Sequence, residues 1–124
     1  MATILSKQPN IARIVEELEK TGYPVFGIDI SRDEVANNKS FIVYYDKGDI
    51  KPTDTRNQYK MDFTVMFVSR IDESIDEIEV IESLRLCGLI FRETNHEEGR
   101  YLNTDDTAKA VTFKFHQIIR IDRW

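Results

Sequence analysis

His116 is the side chain here with the chemistry for proton transfer or metal binding, because an imidazole titrates near neutrality and offers a nitrogen lone pair. It lies between Lys114 and Ile118 on an alternating segment, on the face opposite Phe113 and Phe115, and no second ligand stands at a useful spacing. A histidine on a solvated or interface strand face is the preferred reading. His96, followed by Glu97 and Glu98, has the composition of a metal cluster. The run HEEGR lacks the helical H-E-x-x-H spacing that points two ligands the same way, so it is read as polar loop. Asp62 with Asp29 would make an in-strand catalytic pair, but no glycine-rich phosphate loop, upstream histidine or third carboxylate accompanies them. Cys87 falls at a predicted helix C-terminus, where the dipole raises a thiol pKa and packing is favoured over nucleophilic chemistry. Asp72, Glu73, Asp76, Glu77, Glu79 and Glu82 could attract cations or a basic partner; the solvated face of an amphipathic helix explains them as well. No catalytic residue, cofactor or metal site is therefore expected, and the chain is read as a non-enzyme that works through surfaces.

Composition bounds the alternatives. The 124 residues suit one domain spanning 1–124, with 41% hydrophobic and 31% charged residues, as in globular chains. The start MATILSKQPN lacks the pattern of a secretory signal, and no window approaches the ~20 apolar residues of a membrane span, so no membrane partner is expected. A single cysteine agrees with a reducing compartment. A net charge of −5 argues against broad contact with nucleic acid, which draws on clustered Lys and Arg. Tyr44, Tyr45 and Tyr59 with Lys47, Lys51, Arg56 and Lys60 are the one basic-aromatic concentration, suited to stacking on single strands. Asp46, Asp49, Asp54 and Asp62 interleave with them, which favours a subunit interface or a plain hairpin.

The elements that would position these residues are set by periodicity. Residues 9–21 read as an amphipathic helix on Ile11, Ile14, Val15 and Leu18, with Pro9 in the first turn and Gly22 past its end. Residues 24–30 read as a strand, 31–40 as a polar loop with one helical turn beginning at Ser31, and 41–45 as a strand covered on both faces. Residues 46–57 are turn-rich and feed an extended hairpin. Residues 58–70 form the longest strand: Met61, Phe63, Val65 and Phe67 alternate with Asp62 and Thr64, and Met66 and Val68 predict a far end covered on both sides. A second helix is predicted over 71–87 on Ile75, Ile78, Ile81 and Leu84, ended by Gly88. A strand over 89–94, a polar loop over 95–106 and a closing strand over 108–121 complete the chain, with Gln117 interrupting the last apolar face. The order α-β-β-β-α-β-β predicts an α+β fold, an antiparallel or mixed sheet with two helices packed on one face.

A helix ending in TGYPVFG, the strand FIVYY, a long loop into YKMDFTVMFVS, the helix ESIDEIEVIESLRLCGL and the strand AVTFKFHQII together resemble the tail terminator, or tail completion, proteins of long-tailed bacteriophages and prophages. The resemblance covers most of the chain, from Ile11 to Ile121, through short motifs in a shared order. It implies a structural virion protein that forms a homo-oligomeric ring, usually a hexamer. Such a ring caps the tail tube, stops addition of the major tail tube protein and presents the surface that joins the head-tail connector or stopper. DNA would only pass through the lumen, and assembly would take place in the bacterial host cytoplasm. On this resemblance the loops are the expected partner interfaces, through Asp33, Asn37 and Asn38 in the first and Lys47, Asp49, Lys51, Asp54 and Arg56 in the second, with Tyr59 beside it. The family has no catalytic residue to carry over. A neck or head-completion protein and a small nucleic-acid-binding α+β module are the alternatives.

Overall fold

The alternating segment beginning at Gln58 becomes a 12-residue strand with neighbours along both edges, and the other elements are added around it. A computed structural model describes residues 2–4, 10–100 and 107–123. In chain order these form β1 (Ala2–Ile4), α1 (Ile11–Glu19), β2 (Val25–Gly27), α2 (Arg32–Asn37), β3 (Ser40–Tyr45), β4 (Ile50–Pro52), β5 (Gln58–Ser69), α3 (Glu77–Leu86), β6 (Ile90–Arg100) and β7 (Thr107–Arg123). One edge of β5 pairs with β7, from Gln58 opposite Arg120 to Ser69 opposite Lys109. Its other edge is shared by β4, opposite residues 59–61, and β3, opposite 64–69. A parallel β2 extends the sheet beyond β3, while β6 and β1 share the far edge of β7.

This is a mainly β architecture, a curled mixed sheet of seven strands with three helices, and it corrects the α+β expectation and its element order. Strand accounts for 49% and helix for 23% of the described residues. The unforeseen β1 and β4 are three residues long, too short for periodicity to register, while the helical turn expected from Ser31 is the six-residue α2, which Ser31 caps. The predicted loop over 95–106 is strand as far as Arg100, with Asn95 opposite Thr112 and Glu98 opposite Lys109. Its polar sequence reflects an edge strand exposed along most of its length, where no face demands apolar residues. The remainder of that loop, 101–106, and Pro9 lie outside the described residues.

The core lies between the sheet and two helices. Ile14 and Leu18 of α1 and Val80 and Leu84 of α3 pack with Ile42, Phe63, Val65, Phe67, Phe113 and Phe115 from the strands. Asn10 caps α1 by accepting from the Arg13 amide at 3.3 Å, and Asp76 caps α3 by accepting from the Glu79 amide at 3.1 Å. The second predicted helix thus begins at Glu77, six residues later than periodicity suggests. The cause is local. Buried Ser69 Oγ accepts from the amides of Ile71 at 3.3 Å and Glu73 at 3.0 Å, and Asp72 adopts φ +58°, outside the right-handed helical region. Asp72 and Glu73 therefore leave the helix face on which they were placed. Asp72 pairs with Lys109, and Glu73 accepts from Ser40 Oγ at 2.7 Å.

Between β3 and β4 the hairpin bulges: Tyr45 faces Thr64, yet Ile50 faces Met61, so four residues span where two would suffice. Gly48 occupies this bulge so closely that a Cβ there would stand 2.2 Å from the Asp62 carbonyl oxygen.

Candidate interaction surfaces

The residues with catalytic potential are scattered. Strand alternation puts Asp62, His116 and Lys60 on the sheet face away from the core, with Asp62 directly opposite His116. Asp62 is held by cations, with Oδ2 3.0 Å from Lys51 Nζ and Oδ1 3.5 Å from an Arg92 nitrogen. Asp29 comes after β2, which is separated from β5 by β3, at least about 9 Å away by strand spacing alone, so the carboxylate pair does not form. Burial pushes the His116 imidazole below its ordinary value, reinforced by Arg92 and Lys60 and opposed by Asp62. Its Nδ1 is buried with no hydrogen-bond partner among the described residues. His96 sits on the helix side of β6, with Nε2 2.8 Å from Glu77 Oε1. Cys87 forms the C-cap of α3, and burial raises its thiol pKa, with Arg13 opposing. Among the described residues no three His, Cys, Asp or Glu side chains converge to hold a metal.

A cleft of about 460 Å³ opens between α1 and the start of α3, lined by Glu17, Lys20, Tyr23, Asp76 and Glu79 among others. Three of its charged groups are already engaged: Lys20 Nζ lies 2.8 Å from Glu17 Oε1, and Asp76 caps the helix. A smaller groove of about 240 Å³ holds the His96–Glu77 pair beside Lys109 and Glu98.

The expected partner residues separate into two groups. Asp33 lies in the first turn of α2, Asn37 at its end, and Asn38 caps it, donating from Nδ2 to the Glu34 carbonyl at 2.8 Å. This helix is tied to the end of β5 by Arg70, whose guanidinium donates to the carbonyls of Val35 at 2.7 Å and Asn38 at 2.9 Å. Lys47 and Asp49 belong to the bulge, Lys51 to β4, and Asp54 and Arg56 to the exposed tip that precedes Tyr59. The Tyr59 and Arg70 ends of β5 are ~36 Å apart at the usual rise of an extended strand. The candidates thus form two sites, one at each end of the sheet. The three tyrosines do not share a platform either. Tyr44 packs against the core, and its neighbour Tyr45 points to the opposite face, 42% exposed.

Sequence reasoning missed the outer face of the sheet. Periodicity predicts cover for Met66 and for both faces of the strand that holds Tyr45. In the structure Met66 is 36% and Ile90 44% exposed. The corner near β2 is the part that closes, through an edge contact of Phe26 and Phe41 with ring centroids 6.3 Å apart. Around the exposed residues stand Lys51, Lys60, Arg92, Lys114 and Arg120 against Asp62 and Glu93, with Glu97 and Asp122 toward the ends of the same face, which leaves a small excess of positive charge. The signal was present in Met66 and Val68, whose apolar character on the second face asks for a covering layer that this chain does not supply at Met66.

The helix side carries the opposite sign. On α1, Glu16, Glu17 and Glu19 outnumber Arg13. On α3, Glu77, Glu79 and Glu82 outnumber Arg85. Neither a protein-family model nor a curated protein matches the chain.

Proposed function

We propose that this chain is a structural tail terminator of a long-tailed phage or prophage, forming a ring that caps the tail tube, ends its growth and offers the surface for the head connector. The observation that carries this reading is the separation of the two loop groups to opposite ends of β5. A protein joining a tube below to a connector above needs contacts at two opposed ends and flanks left over for its neighbours in a ring. The α2 end and the hairpin tip supply the first, and the helix layer and outer sheet face supply the second. The ring would belong to the virion tail and be assembled in the host cytoplasm, with DNA passing through its lumen.

Electron microscopy of particles made without this protein tests the reading: overlong or unjoined tails are expected. Heads that lose their DNA would assign it to the neck instead. A strictly monomeric mass at high concentration, with no assembly on added tail tube protein, would overturn the proposal. The excess of cations on the outer face favours a second reading, a single-strand nucleic-acid module, for which a salt-sensitive affinity is required. Division of Tyr44 and Tyr45 between opposite faces counts against it, since stacking needs a shared platform.

A further inference from the structure

We infer that copies of this chain associate head to tail, the acidic outer ridge of α3 in one copy docking on the basic outer sheet face of the next. The inference rests on the ring reading and names the two surfaces that meet. Ile78 and Leu86, 69% and 66% exposed, lie two helical turns apart with Glu82 between them, giving an apolar–acidic–apolar stripe ~12 Å long. The outer sheet face carries the matching pattern. The register puts Lys114 opposite Thr64 on β5 and Glu93 on β6, and puts Ile90 level with His116 and Asp62. Met66, Lys114 and Ile90 therefore fall on one diagonal of the sheet, an apolar–basic–apolar stripe ~16 Å from end to end by strand spacing and rise. The long, flexible Met66 side chain can take up the difference in length.

Charge selects the occupant. The helix layer carries an excess of carboxylates and the outer sheet face an excess of cations, so two copies attract through unlike surfaces and repel through like ones. Contact between two different surfaces is heterologous, and repetition of one such contact closes into a ring or runs into a filament. The central charges are lightly held within each copy. Lys114 Nζ is 3.6 Å from Glu93 and donates to the Asn95 amide oxygen at 3.0 Å, and Glu82 Oε2 is 2.6 Å from Arg85, all on exposed side chains where such pairs contribute little and can exchange partners.

Charge exchange tests this with the full chain, alone and with tail tube protein, by sedimentation at increasing concentration. Glu82→Lys and Lys114→Glu are each expected to weaken self-association about tenfold or more, and an equal mixture of the two to recover it, because the mixture restores an acid–base junction at every contact. Thermal melts followed by circular dichroism establish that each variant is folded; if Lys114→Glu melts early, Lys114→Gln replaces it. Unchanged association of both variants overturns the inference and leaves the ring reading standing, as does weakening that mixing fails to relieve. A wild-type chain that stays monomeric even with tube protein removes both. Binding of a fluorescent single-stranded oligonucleotide that Lys114→Glu abolishes, without self-association, assigns the face to nucleic acid and overturns the inference as well.

Discussion

Gly48 and His116 show how single residues set the outer face. The bulge between β3 and β4 brings the Gly48 backbone against Asp62, and of the three atoms that would have to yield, two belong to its carbonyl and the third is its Cβ, which is fixed to the main chain. Gly48→Ala is expected to destabilise the fold by about 1–3 kcal/mol, the usual cost of forcing atoms into an occupied space, and to disturb the Lys51–Asp62 ion pair. Urea denaturation checks the first, and a wild-type midpoint would show that the hairpin shifts freely. His116 gives a pH signature. Its imidazole is held neutral in the fold, first by burial and then by Arg92 and Lys60, so its folded pKa lies below the unfolded value of 6.5. The unfolded chain then binds more protons just below that value, and stability falls as pH drops from 6.5 toward the folded pKa. Melting temperatures measured between about pH 7.5 and 5.5 should decline for the wild type and decline less for His116→Leu, which keeps the burial and removes the proton site. Equal slopes would show that the imidazole is free to charge in place.

At the scale of elements, Ser69 and Arg70 determine the path of the chain as it leaves β5. Ser69 Oγ and Ser40 Oγ lie 2.8 Å apart, and Ser40 spends its one hydroxyl proton on Glu73, so Ser69 supplies the proton between them while accepting from two amides. Arg70 holds the last carbonyls of α2. Arg70→Ala should leave these acceptors to water and loosen α2, costing about 1–3 kcal/mol, with faster amide exchange confined to residues 32–38. Uniformly faster exchange across the sheet would contradict so local a role. These contacts explain why periodicity made some elements legible and not others. The long strands were readable, and so were the helical stripes apart from Ile78, because burial against one core imposes a period of two or 3.6 on Phe63, Phe113, Ile14 and Leu84. The predicted stripe placed Ile78 inward, and the structure leaves it 69% exposed. The start of α3 was not, because the Ser69 hydroxyl and the Asp72 backbone override a helical pattern that Ile75 continues. Nor was β6 beyond Thr94, where an edge strand pairs without needing apolar residues. The two loops were legible from turn composition, and the resemblance made their residues partner candidates, but their separation to opposite ends of β5 depends on register, which composition does not encode. The exposed Met66–Lys114–Ile90 diagonal joins three strands, and only its Met66 end, apolar on the second face of β5, left a sign within a single segment.

The whole molecule turns on a single core. Phe113 is fully buried at the middle of β7, opposite Val65 on β5 and Thr94 on β6, and it belongs to the cluster that both α1 and α3 cover. Truncating it opens a cavity that strands on both sides and helices above cannot all close. Phe113→Ala is expected to cost about 3–5 kcal/mol, a large share of the 5–15 kcal/mol typical of a domain this size. Since one core ties together the helices and the strands, the loss should lower a single cooperative transition rather than split it, with far-UV dichroism and tyrosine fluorescence giving the same urea midpoint. Phe26→Ala is the control. Its ring touches Phe41 on the face away from that core, beside a three-residue edge strand, and its removal should cost less than half as much. Two separate transitions in Phe113→Ala, or equal losses in the two variants, would mean that the outer corner stabilises the fold as strongly as the inner layer. In that case the outer sheet face would be part of what holds the monomer together, and it would not be a surface left open for a neighbouring copy.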